Sequence, residues 1–283
     1  MSVTRDYDEL AARIVAAVEP PLTYRVYGQQ TTPDPDVAYD LYLVRVPADR
    51  RRFSVLINGG THGDEPAGAE AAVRFLEERR YLRWPEVEFT ITPCTNPWGY
   101  VHNKREGPFG VDLNRSFRRA TRAAPQVSLL KRALARRSFD LFVDCHEDVD
   151  TPGLYVFAPS ALGKTIVEAT RPLGPIHPGE LVDGEIPVQE GVVQLDAPRF
   201  RERRRAINTW PLPYYIARYH ARQPERPKLA EGEALEASEG APPDDPLLVT
   251  SATVETPVFL PMEQRAAMHL AAIDAALATL FQK

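Results

Sequence analysis

Two short apolar runs, Phe53–Ile57 and Leu141–Cys145, decide which folds are open to this chain. Each is shorter than a self-burying helix and almost unbroken in apolar residues, as a strand covered on both faces must be. A third run, Val87–Cys94, reads the same way and is closed by Pro93 and Pro97. Between these runs lie stretches with apolar residues at helical spacing. Ala67–Arg80 presents Ala72, Phe75 and Leu76 on one side, and Ser128–Arg137 follows the same pattern. Strands alternating with helices predict an α/β fold: a mixed, mainly parallel twisted sheet with helices on both faces.

The flanks complete that reading. Asp6–Val18 has a helical spacing, ended by Pro20-Pro21. Leu22–Gly28 and Ala38–Val46 alternate like strands, with Asp34-Pro35-Asp36 as turn chemistry between them. Leu154–Phe157 is a further short strand, Leu247–Glu255 a returning strand, and Pro261–Phe281 an amphipathic closing helix that offers Met268, Ile273, Leu277 and Leu280. From about 160 to 246 periodicity fades, and Pro224–Pro246 has the composition of a surface loop. The expectation is one domain over residues 1–283, with that stretch as an irregular insertion.

Charge excludes one class of partner. There are 34 basic and 39 acidic residues, a net charge of −5, which gives no support to nucleic-acid binding. The basic cluster Arg201–Arg205 reads as a solvated face. No apolar stretch is long enough to span a bilayer, and the charged start Met1–Leu10 has no apolar signal core. The expected location is the cytoplasm, with no membrane partner. Cys94 and Cys145 end apolar runs and read as buried, reduced thiols, with a single disulfide as the alternative.

Ligands in such sheets gather at the carboxyl ends of strands. The run Gly59-Gly60-Thr61-His62-Gly63-Asp64-Glu65-Pro66 stands at one such end and enters the helix that begins near Ala67. His62 and Glu65 there, with His146 after the Leu141–Cys145 run, form a donor set suited to one catalytic Zn2+ per chain. Gly63 is expected to let the backbone turn so that Glu65 reaches the same ion. Without a metal, Glu65 reads as a carboxylate at a helix start.

A second constellation follows. In Gly110-Val111-Asp112-Leu113-Asn114-Arg115-Ser116, Arg115 and Asn114 are donors suited to a carboxylate, and Asp112 to the far nitrogen of a metal-binding histidine. Read alone, Asp112 or Asn114 is a helix cap and Arg115 a surface residue.

Taken in order, His62-x-x-Glu65, Asn96-Pro97-x-Gly99, Asp112-Leu113-Asn114-Arg115 and His146 resemble the zinc carboxypeptidase family. That family includes the murein-peptide amidases and the succinylglutamate desuccinylase and aspartoacylase branch, and the chain looks most like its compact bacterial members. The resemblance covers residues 53–158 closely. It implies a zinc carboxypeptidase-like fold with His62, Glu65 and His146 as zinc ligands and Asp112 behind the first histidine. It implies Asn114 and Arg115 as the grip on the substrate's terminal carboxylate. Glu255, in Val254-Glu255-Thr256-Pro257, matches the general base, and Arg105 the cation that steadies the oxyanion, with Lys104 as its rival.

The expected function is a zinc metallocarboxypeptidase acting on a peptide with a free carboxylate. The alternatives are an N-acyl amino acid deacylase of the desuccinylase type and an inactive peptide-binding module. Departures from the family pattern are Ser116, where many members have a second asparagine, and the acids Glu147, Asp148 and Asp150. These acids read as solvent-facing loop residues; the sharper alternative is a preference for an amine-bearing substrate. Tyr214, Tyr215 and Tyr219 are candidates for a pocket tyrosine; His102, near the site in sequence, reads as a surface or packing residue with substrate contact as the alternative, and His177, His220 and His269 have no ligand-like spacing.

Overall fold

The computed structural model describes residues 5–118, 124–197, 209–220 and 251–282. The Arg201–Arg205 cluster, the 224–246 stretch and residues 247–250 of the returning strand lie outside the described residues.

In chain order the elements are α1 (Tyr7–Ala16), β1 (Thr23–Thr31), β2 (Ala38–Val46), β3 (Phe53–Gly59), α2 (Pro66–Glu77), β4 (Val87–Thr92) and α3 (Pro97–His102). There follow α4 (Pro125–Leu134), β5 (Leu141–Asp148), β6 (Tyr155–Ala158), α5 (Ser160–Thr170), β7 (Leu181–Val182), β8 (Ile186–Pro187), β9 (Val192–Gln194), α6 (Leu212–Tyr219), β10 (Ser251–Pro257) and α7 (Met262–Thr279). Eight strands form one sheet in the order β1-β2-β4-β3-β5-β10-β6-β9. The central strands β4, β3, β5 and β10 run parallel, while β1, β2 and β6 join antiparallel. The expected mixed α/β sheet with helices on both faces is what the chain forms.

Period-two alternation sorts the central strands between two cores. Val55, Ile57, Leu141, Val143, Ala252 and Val254 point into the larger core, beneath α1, α2, α5 and α7. Leu56 and Phe142 point the other way, into a smaller core with α4 and α6. A third cluster on that same side packs Tyr155 and Phe157 against Val182, Ile186 and Val188 of the β7–β8 hairpin. Fully burying a side chain such as Leu56 or Phe142 stabilises by about 1.5–3 kcal/mol, so the two cores clamp β3 and β5 from both sides.

Three readings need correction. First, β5 runs to Asp148, so His146 and Glu147 are strand residues rather than loop residues beyond a strand. Second, the stretch after 160 is not irregular throughout: it opens with α5, which buries Leu162, Ile166, Val167 and Thr170 at helical spacing, and continues with the short β7–β8 hairpin, β9 and α6. Third, α7 is buried on more than one side: Ala266, His269, Ile273 and Leu277 are covered along with Met268, Ala272, Ala275 and Ala276, because it packs between α5 and α2. Cys94 and Cys145 are buried free thiols, as expected.

Candidate metal centre and active site

Where β3 ends, the chain turns at Gly60, whose φ of +61° is a left-handed conformation that favours glycine. Gly63 plays another part than the one expected of it. A Cβ there would lie 1.9 Å from the carbonyl carbon of Gly99, so its hydrogen allows two backbones to touch. The loop is held in place by the Gly63 N–H on the Lys104 carbonyl at 3.0 Å and by Arg5 Nη1 donating to the Gly63 carbonyl at 2.8 Å.

This loop brings His62 to Glu65. Nδ1 of His62 lies 2.6 Å from Oε1 of Glu65, and Nδ1 of His146 lies 2.7 Å from Oε2. All three side chains are buried, and one ligand atom from each lies within 4.8 Å of the others. Glu65 occupies the N-cap position of α2 but makes no capping hydrogen bond, which sets aside the reading of a simple helix-start carboxylate. Burial opposes its charge, yet the imidazoles of His146 and His62 hold its carboxyl below the ordinary range. Burial likewise opposes a proton on His146, and the Asp144 and Glu65 carboxylates outweigh it and raise that imidazole well above its usual value. A pocket that so favours positive charge, with two imidazoles and one carboxylate as donors, fits a divalent cation such as zinc.

An outer carboxylate stands beside the far nitrogen of each ring. His62 Nε2 lies 3.2 Å from Oδ1 of Asp112, as expected. Burial raises the Asp112 carboxyl, and the hydrogen bond with His62 helps bring it down to about 2. His146 Nε2 lies 3.2 Å from Oδ2 of Asp144, a residue the sequence reading did not single out. Asp144 is fully buried, and Asn58 Nδ2 donates to its other oxygen at 2.7 Å. The signal was available: positions i and i+2 of a strand share a face, so Asp144-x-His146 places the acid beside the ring.

Arg105 points into the cluster. Its Nη1 donates to Oε1 of Glu65 at 3.1 Å and its Nε to Oδ2 of Asp112 at 3.3 Å, whereas Lys104 is exposed. Asn96, the N-cap of α3 four residues beyond β4, is not aimed at the site. Its amide donates to the carbonyls of Arg105 and Glu106 and pins the loop that carries Arg105.

Glu255 pairs in register with His146 across β5–β10 and with Tyr155 across β10–β6. Registered residues share a face, so Glu255 stands beside His146 and beside Tyr155. Burial raises its carboxyl well above the usual value; Glu65, Asp148 and Asp144 add to this, against the pull of His146. The Tyr155 hydroxyl donates to Asp148 at 2.7 Å.

Asn114 is buried, and its Oδ1 accepts from the Leu212 N–H at the start of α6, 2.8 Å away. That bond sets the amide's orientation. Arg115 is exposed, and among the described residues it donates to the carbonyl of Asn114 at 3.2 Å. Ser116 bridges to Trp210, so residues 210–212 strap this loop in place. Asp112 stands at the N-cap position of the short 3-10 turn Leu113–Arg115, but its side chain makes no capping hydrogen bond, and Asn114 lies within that turn.

Residues 52–161 match the family model of the succinylglutamate desuccinylase/aspartoacylase catalytic domain. Among solved structures, a candidate metallopeptidase from Shewanella denitrificans superposes with a TM-score of 0.70 at 20% identity, covering 97% of this chain and 90% of its own. A metallo-carboxypeptidase from Burkholderia cenocepacia gives 0.66 at 17% identity, over 98% of this chain and 70% of that one. The chain has the metallo-carboxypeptidase fold. A succinylglutamate desuccinylase from Silicibacter sp. shares it at a TM-score of 0.55 and 12% identity, over 91% of this chain and 66% of the other. No curated protein matches the chain. The resemblance to the family read from the motifs therefore holds.

On this metallo-carboxypeptidase fold the remaining candidates fall elsewhere. Tyr215 is packed in the second core, and Tyr219 lies against Trp210 and Tyr215. His102 stacks on Trp98, His177 meets Thr151, His220 meets the Arg137 carbonyl, and His269 meets Thr256. Of the acids read as solvent-facing, only Asp150 is exposed; Asp148 receives Tyr155, and Glu147 is buried on the opposite face of β5. Among the described residues no helix is long and apolar enough to cross a membrane.

Proposed function

We propose that this chain is a zinc metallocarboxypeptidase that hydrolyses the amide bond beside a substrate's free carboxylate. The observation that carries the reading is the convergence of His62, Glu65 and His146 within 4.8 Å, with Glu255 in register beside His146. The family match and the fold support a hydrolase at the coarser level: a metallopeptidase or a deacylase of the desuccinylase/aspartoacylase type.

His62, Glu65 and His146 would hold the ion, which when bound strengthens water as a nucleophile and polarises the scissile carbonyl. Glu255 takes a proton from the attacking water as its oxygen bonds to the carbonyl carbon. It delivers that proton to the amine nitrogen as the carbon–nitrogen bond breaks. Its place in register beside His146 puts it within reach of a water at the ligand set. Arg105, already at the edge of the cluster, supplies positive charge where the carbonyl oxygen becomes negative. The amide Nδ2 of Asn114 and the exposed guanidinium of Arg115 would be the donors to the substrate's carboxylate, the contact an exopeptidase needs.

The deacylase reading uses the same residues and is favoured by the family model matched over residues 52–161. Small peptides, their C-terminally amidated forms and N-acyl amino acids, assayed side by side, separate the two. The peptidase reading expects turnover of free-acid peptides and none of the amides; turnover of N-acyl amino acids alone replaces it with the deacylase. Glu255→Gln is expected to keep stoichiometric zinc and lose turnover by about 100-fold or more. Full activity in that variant removes Glu255 from the mechanism, and zinc-loaded wild type that hydrolyses nothing leaves a binding module.

A further inference from the structure

We propose that Glu147 and Arg265 are positioning residues for the metal-binding carboxylate of Glu65, gripping the chain on both sides of Pro66 from the far face of the sheet. The inference rests on the reading of His62, Glu65 and His146 as metal ligands.

Glu147 follows His146 on β5, so its side chain leaves the opposite face and enters the larger core. A carboxylate there must find donors. One oxygen accepts from the Ala67 N–H at 3.1 Å, and Arg265 Nη1 contacts both oxygens. The carboxylate has no exposed surface and the arginine is 12% exposed. The Ala67 N–H is one of the unpaired donors at the start of α2. Glu65 sits at the N-cap but leaves that donor unserved, since its oxygens face the histidines. Glu147 serves it instead and brings negative charge to a helix N-terminus.

The same residue also reaches the ligand itself. The backbone N–H of Glu147 donates to Oε2 of Glu65 at 3.1 Å, the oxygen that also faces His146. Glu147 thus holds Glu65 by its main chain and Ala67 by its side chain, with Pro66, which has no N–H, between them. Arg265 anchors this grip to the first turn of α7, in a part of the chain that offers no metal ligand. A buried ion pair is weak evidence for stability, and replacing both partners with apolar residues is often tolerated. Its placement here, tying α7 through β5 to the loop of a ligand carboxylate, is that of an outer partner that aims a ligand.

The test uses the full chain with zinc and cobalt as probes. Zinc affinity is measured by chelator competition, the geometry of the site by the visible spectrum of the Co2+-loaded protein, and stability by melting of the metal-free chain. The variants are Glu147→Met, Arg265→Met, the double replacement, and Arg265→Lys. Each single replacement by methionine leaves a buried group without its partner and is expected to melt earlier. The double variant removes both charges, so it is expected to fold. It is nonetheless expected to bind zinc about 10-fold to 100-fold more weakly than wild type, with an altered cobalt spectrum. Arg265→Lys is expected to recover most of the affinity, because a single nitrogen of Arg265 makes both contacts to Glu147. A double variant with wild-type zinc affinity and cobalt spectrum overturns the inference, whatever its melting point. Wild type that takes up no zinc overturns the metal reading, and this inference with it.

Discussion

One methyl group at position 63 is expected to dismantle the proposed metal site. In Gly63→Ala the new Cβ would meet the carbonyl carbon of Gly99 at 1.9 Å, with Gly99 Cα and Tyr100 N at 2.3 Å. All three are backbone atoms, so no side chain can swing aside. Helix α3 cannot easily retreat either, since the Asn96 side chain caps the Gly99 N–H and its amide holds two carbonyls of the next loop. To reach ordinary contact at 3.4 Å the two segments must part by roughly 1.5 Å. Metal–ligand distances tolerate about 0.2 Å, and His62 is the preceding residue while Glu65 is two further on. The displacement is therefore several times what the ligand set can absorb. Overpacking of this kind costs about 1–3 kcal/mol of stability. Zinc affinity is expected to fall by more than about 100-fold, beyond the cost of losing an outer hydrogen-bond partner. Chelator competition and thermal melting measure the two effects separately. Gly110→Ala is the control: its φ is +70° and nothing lies within 4 Å of the added carbon, so about 1–2 kcal/mol of backbone strain and unchanged zinc binding are expected. If Gly63→Ala binds zinc as wild type does, or the control loses as much affinity, the close-approach argument is wrong.

Two further outcomes follow from the same coordinates. Asp112→Asn and Asp144→Asn should each weaken zinc binding by about 10-fold to 100-fold. Asp144 should cost more, because its carboxylate is fully buried while that of Asp112 is 25% exposed and shares Arg105; the reverse order in a competition assay refutes this ranking. His269 lies buried between α7 and β10, and burial lowers its pKa from 6.5 to about 3. Below pH 6.5 the unfolded chain takes up a proton that the folded chain refuses, so this group costs stability as pH falls from 6.5 towards 3, by at most about 1.4 kcal/mol per pH unit. Urea unfolding of wild type and His269→Gln at pH 7, 6 and 5 should show a shallower acid decline in the variant; parallel declines remove His269 from the account.

The fold was legible where one interaction dominates. The central strands β3, β4 and β5 announce themselves because residues covered on both faces must be apolar throughout, and no other element produces short runs of that kind. The convergence of His62, Glu65 and His146 was legible for a related reason: parallel strands deliver their carboxyl ends to one edge, so a histidine there has few places to go. The insertion after 160 was not legible. The β7–β8 hairpin has two residues per strand, and α6 is eight residues that bury Leu212, Tyr215 and Ile216 against α4 and β5. Its role in orienting Asn114 comes from one long-range hydrogen bond to Leu212, 98 positions away, which no local pattern reports.

The misreading of β5 has a different physical origin. Asp144, His146, Glu147 and Asp148 look like the end of a strand because isolated charges cannot stay in a core. Here none is isolated. Glu65 faces two imidazoles, Arg105 and a backbone N–H; Asp112 faces His62 and Arg105; Asp144 faces Asn58 and His146; Glu147 faces Arg265 and the start of α2. The His62–Glu65 and Asp144–His146 contacts are local, but Asn58, Arg265, the start of α2 and the His146 contact to Glu65 come from distant parts of the chain, so the burial of these acids depends largely on tertiary contacts that the local sequence does not contain. The same dependence separates the two faces of one strand. His146 turns towards the proposed ion, and Glu147, one residue on, turns towards the helix that holds Glu65. A substitution at either position therefore bears on the same carboxylate from opposite sides of the sheet. In zinc affinity the effects of His146→Ala and of the Glu147/Arg265 double replacement should combine with a coupling well above the roughly 0.5 kcal/mol error of independent sites.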